Sequence, residues 1–94
     1  MIVGLLTITI RLHGLNSLKD KRRIIKSLIG RLRSRFNVSV SEVDRHDSRQ
    51  QAVIAIATVS GDSRFVNQQL DSIIAFIQRD GRFYVGQIER EVFS

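Results

Sequence analysis

Lys19 to Arg35, the run KDKRRIIKSLIGRLRSR, carries eight basic side chains and a single acid, Asp20. Arginine forks match phosphate oxygens two at a time and lysine ammoniums act as point charges, so such a run can hold a polyanion. With Arg11 included, residues 11–35 have a net charge of +8, whereas the whole 94-residue chain is only +6. The basicity is therefore local, and local density is what an anionic partner feels. Acids are almost absent at i±4, so neutralisation along the segment is not its design. Lys19, Lys21, Arg22 and Arg23 also crowd the end at which a helix dipole favours acids. These observations point to structured RNA, ribosomal RNA first, held through its backbone by Lys19, Arg22, Arg23, Lys26 and Arg33. Arg11 and Lys21 would extend the patch. A solvated helix face explains the same charges, as does contact with an acidic protein surface, and both alternatives stay open here.

Other chemistry is thinly represented. There is no cysteine, hence no disulfide and no thiolate metal site. Asp44, His46 and Asp47 stand close together with His13 available, but three loosely spaced ligands are accounted for by turn chemistry, and no metal is expected. Gly14-Leu15-Asn16-Ser17 could offer backbone N–H groups to a phosphate beside Lys19 and Arg22; a plain strand-to-helix turn with a serine cap explains the same residues. No cluster of acid, base and nucleophile emerges. The expectation is a protein that is not an enzyme, with no cofactor and no small-molecule substrate.

The elements that must position the basic run follow from periodicity. Residues 2–13 alternate, with Ile2, Leu6, Ile8, Ile10 and Leu12 on one face and Val3, Leu5, Thr7, Thr9, Arg11 and His13 on the other, which predicts a long central strand. From Leu18 the period becomes helical. Leu18, Ile25, Leu28, Ile29, Leu32 and Phe36 form an apolar arc opposite the cations, and Ser17 is the expected N-cap. Gly30 on the outer face costs that helix about 1 kcal/mol relative to alanine. A short strand over 37–45, a polar turn at 46–49 and a strand apolar on both faces, Gln51–Val59, come next. A second helix is capped by Asp62, turns Phe65, Val66, Leu70, Ile73, Ile74 and Ile77 inward, and ends near Asp80-Gly81. Phe83–Val92 reads as the last strand. The order βαββαβ, with right-handed crossovers, predicts an α+β, ferredoxin-like split fold whose antiparallel sheet runs 4-1-3-2 with both helices on one face.

The stretch SLKDKRRIIKSLIGRLRSRFNVSVSEVD, Ser17–Asp44, resembles the YlxP-like family of small bacterial proteins of unknown function. The resemblance extends through the alternating first strand and ends at IEREVF, Ile88–Phe93. Where members of that family often carry Asp-Leu-Trp-Gln, this chain has Asp47-Ser48-Arg49-Gln50. The resemblance implies a ferredoxin-like fold and, in many bacteria, a gene setting near translation-initiation and ribosome-maturation factors. It brings no catalytic residues.

With both helices on one side, the other side of the sheet is left open. RNA-recognition motifs stack bases there on aromatics of the two central strands, and here those strands contain none. An apolar open face predicts packing against a second copy, with Val3, Leu5 and Thr7 in a homodimer interface and alternate residues of 52–59 beside them. Which face of 52–59 that is cannot be read from a strand apolar on both sides. An oligomeric protein-interaction or small-ligand module using this face, with no nucleic-acid role, is the alternative function.

The remaining bounds are broad. The length suits one domain, 1–94, without linkers, and a 43% hydrophobic content suits a packed core. No apolar run approaches the ~20 residues of a membrane span, and the N-terminus lacks the pattern of a signal peptide. A cytoplasmic location without membrane contact is the expectation.

Overall fold

The computed structural model describes residues 1–14 and 17–94. Leu15 and Asn16 lie outside the described residues, and so does the phosphate-cradle reading of their turn. The chain runs β1 (Ile2–Arg11), α1 (Leu18–Arg35), β2 (Ser39–Asp44), β3 (Gln51–Ser60), α2 (Ser63–Gln78) and β4 (Tyr84–Phe93). The sheet is fully antiparallel in the order β2-β3-β1-β4, which is the expected order read from its other edge.

The alternation in β1 sets the layers. Leu6, Ile8, Ile10 and Leu12 are buried beneath the helices, joined from β3 by Ala52, Ile54 and Ile56. Register answers the question that the apolar-on-both-faces strand left open. Val3, Leu5, Thr7 and Thr9 pair with Val59, Ala57, Ala55 and Val53, so these residues share the open face. Each helix closes the core with a stripe at i, i+4, i+7 and i+11. In α1 it is Lys21, Ile25, Leu28 and Leu32; in α2 it is Val66, Leu70, Ile73 and Ile77.

Both expected N-caps are present. Asp20 N–H donates to Ser17 Oγ at 3.2 Å, and Arg64 N–H donates to Asp62 Oδ1 at 2.9 Å. Phe65 departs from its expected inward place. It is one residue, about 100°, off the α2 stripe and stands 47% exposed.

Two glycines shape the sheet. A Cβ on Gly4 would sit 2.6 Å from Val66 Cγ1 and 3.1 Å from Leu70 Cδ1, so this bare position lets α2 lie close on β1. Near Gly86 the β1–β4 register slips between Ile8 and Ile10; a Cβ there would meet the Thr9 carbonyl oxygen at 3.2 Å. The slip buries Phe83 under the sheet and puts Tyr84 opposite Arg11.

Candidate nucleic-acid interface

Helical phase sorts the eight cations of α1 into three groups. Lys19, Arg22, Arg23 and Lys26 are exposed and have no ion pair among the described residues. Arg33 is exposed but anchored, its Nη2 donating to the Val40 carbonyl at 3.1 Å. Arg22, Lys26 and Arg33 stand over an open groove of about 490 Å³ between α1 and β2, floored by Ile25, Ile29 and Val40. Gly30 lines the same groove and leaves its middle without a side chain. The five candidate phosphate contacts thus share the outer side of one helix, and three of them line one groove.

Arg31 and Arg35 are otherwise engaged. Their guanidinium carbons lie 5.1 and 5.4 Å from the centre of the Phe76 ring, which meets Phe36 edge-on at 5.8 Å. Arg31 also reaches Asp80 Oδ2 at 3.3 Å. Asp80 is the hub here. Arg82 forks onto it, Nε to Oδ1 at 2.9 Å and Nη2 to Oδ2 at 2.6 Å, while Arg82 Nη1 donates to Ser27 Oγ on α1 at 3.1 Å. These hydrogen bonds from Arg82, with the charge of Arg31 behind them, hold the Asp80 carboxyl below its usual range despite some burial. A lowered folded value means stability that is present above the ordinary carboxylate pKa, about 4, and is lost as pH falls through the lowered one. Asp80→Asn should cost on the order of 1–2 kcal/mol at neutral pH. In urea melts the gap to wild type should close below pH 4; a gap of constant size would contradict this linkage.

Lys21 leaves the expected patch. Its side chain is 1% exposed, because position 21 lies on the apolar stripe of α1. Its Nζ donates to the Arg45 carbonyl at 2.5 Å and lies 3.1 Å from Glu42 Oε2. That carboxylate oxygen is buried and accepts no hydrogen bond among the described residues, so the contact is a charge pair. Arg45 is in the left-handed region, φ 63°, and its N–H donates to Asp44 Oδ1 at 2.7 Å. Lys21 therefore pins the first turn of α1 to the β2–β3 hairpin, and the crowding of cations at this helix end is in part structural.

Arg11 leaves the patch as well. It shares the open face with Thr7 and Thr9, and the sheet stands between it and α1. In the hairpin, His46 Nε2 lies 3.1 Å from the Glu42 carbonyl, and Asp44 serves the Arg45 turn. Arg33 and His46 thereby occupy two outward carbonyls of the edge strand β2, which blunts that edge.

Val3, Leu5 and Thr7, the expected interface residues, lie together on the open face beside Val59, Ala57 and Ala55. Sequence reasoning missed Tyr84, which stacks on His13 at that face's far end. The signal was a strand glycine, Gly86, marking a bulge, and the turn this gives Tyr84 depends on register.

A four-stranded antiparallel sheet with two helices on one face and a cationic outer helix defines a small α+β protein of ferredoxin-like build. The chain belongs to the family described as a protein of unknown function (DUF503), whose pattern it matches over residues 3–90. It is 35% identical over 66 residues to the uncharacterized protein YlxP of Bacillus subtilis (strain 168), covering 70% of this chain and 72% of that one. A solved structure, the de novo designed protein Foldit4, superposes with a TM-score of 0.54 at 18% identity, over 99% of this chain and 96% of that one. That likeness concerns the fold alone. Among the described residues no helix is long and apolar enough to cross a membrane.

Proposed function

We propose that this protein is a non-enzymatic accessory factor that binds structured RNA, ribosomal RNA first, through the outer face of α1. The observation that carries the reading is the unneutralised set Lys19, Arg22, Arg23 and Lys26, with Arg33 held in place by a backbone carbonyl. Stability does not require this arrangement, since the stripe beneath it already packs α1 on the sheet. Phosphates satisfy arginine and lysine without base identity, so binding is weakly sequence-selective. Titrating a structured ribosomal RNA fragment over a potassium chloride series tests the mechanism. Roughly five phosphates neutralised give a log–log slope near −4. A slope near zero would overturn the reading even if binding occurred.

The open sheet face supports self-association as part of the same proposal. Val3, Leu5 and Ala57 line up with Val59, 51% exposed, and Phe93, 47% exposed, at one end of the sheet. An apolar strip of this kind on a 10.7 kDa chain favours a second copy over water. Light scattering should give about twice the chain mass at high concentration, and Leu5→Glu should return it to the monomer. A monomer at every concentration would contradict this assembly.

A further inference from the structure

The far end of the open face is built differently from its apolar end. Tyr84 is 65% exposed and stacks on His13, ring centres 4.9 Å apart and planes at 17°. Across the β1–β4 ladder Tyr84 faces Arg11, and across the β1–β3 ladder Arg11 faces Gln51. Arg11, His13, Tyr84, Gln50 and Gln51 line a shallow cleft of about 280 Å³ with Leu12. Leu12 N–H donates to the Gln50 carbonyl at 2.7 Å, which fixes that glutamine beside the strand. A tyrosine, two glutamines and an arginine thus line one small opening. Ring burial does not explain Tyr84, and an apolar dimer contact would use Val3, Val59 and Phe93 at the opposite end.

We propose that this cleft takes one unpaired nucleotide of the bound RNA, its base stacked on Tyr84 and its phosphate on Arg11. Every base offers a π-face to such a ring, and amides of Gln50 and Gln51 match the donors and acceptors of a base edge. Arg11 supplies the charge-assisted contact. The platform also lies where the chain turns into α1: Ser17 is four residues beyond His13, hence within about 15 Å of it. This inference rests on the RNA reading above and specifies it, since duplex RNA cannot enter the cleft whereas a loop, bulge or end can.

The chain holds one tyrosine and no tryptophan, so its intrinsic emission reports on Tyr84 alone. A single-stranded oligoribonucleotide and a duplex of equal length are titrated in low salt, reading Tyr84 emission alongside anisotropy of a labelled strand. The single strand should quench the emission in step with binding, and the duplex should bind without quenching. Tyr84→Ala should weaken the single strand by about 5- to 100-fold, leaving the salt slope and duplex affinity unchanged, while Tyr84→Phe should bind like wild type. Binding of the single strand without quenching overturns the platform and leaves the basic-helix reading standing. So does an equal or absent loss of affinity for both ligands in Tyr84→Ala. Failure of both ligands to bind wild-type protein overturns both readings.

Discussion

Lys21→Ala should destabilise the fold by about 3–5 kcal/mol, a large part of the 5–15 kcal/mol that holds a typical small domain. The substitution removes the ammonium that sits 3.1 Å from Glu42 Oε2 and donates to the Arg45 carbonyl. Glu42 is left half-buried with a charge and no partner, and the left-handed turn at Arg45 loses the donor that meets its carbonyl. The charge pair itself need not be a net stabiliser, because desolvating two ions offsets much of their attraction. The paired replacement Lys21→Met with Glu42→Leu should therefore recover most of the loss, within about 1 kcal/mol of wild type. Urea melts of the single and double variants read this directly. A Lys21→Ala variant as stable as wild type would show that the contact to the hairpin carries no weight.

Reversing Arg22, Lys26 and Arg33 to glutamate should reduce RNA affinity by at least 100-fold, because three phosphate contacts become repulsions. The fold should tolerate the change. All three side chains are exposed, and among the described residues their one structural tie is the Arg33 hydrogen bond to Val40, which is worth on the order of 1 kcal/mol. Thermal melts made beside the binding curves keep the two effects apart. A matching reversal on the other side of the sheet, Arg11→Glu, should leave duplex binding unchanged, since the sheet separates it from α1.

These two variants also mark where the sequence was readable. Position 21 follows the helical phase of Ile25, Leu28 and Leu32, so its burial was legible from spacing. Charge had suggested the surface, and a lysine on an apolar stripe is the kind of conflict that points to a buried partner. Arg11 was likewise on the Thr7–Thr9 face by alternation alone, yet counting charge by segment merged it with the helix. Element order, caps and sheet order followed from periodicity because local pattern and tertiary packing agree there. The hidden face of β3 did not, because residues 52–59 are apolar on both sides and only pairing with β1 distinguishes them. The His13–Tyr84 stack joins residues 71 positions apart through a ladder whose register a bulge resets. No local rule reaches that far.

The most direct measurement of the central claim is co-sedimentation of the pure protein with ribosomal subunits across a potassium chloride series. The account predicts binding that saturates at a defined stoichiometry and weakens steeply as salt rises. No binding even at low salt would contradict it, reducing the outer face of α1 to a solvated surface and leaving the open sheet as the place where this protein acts.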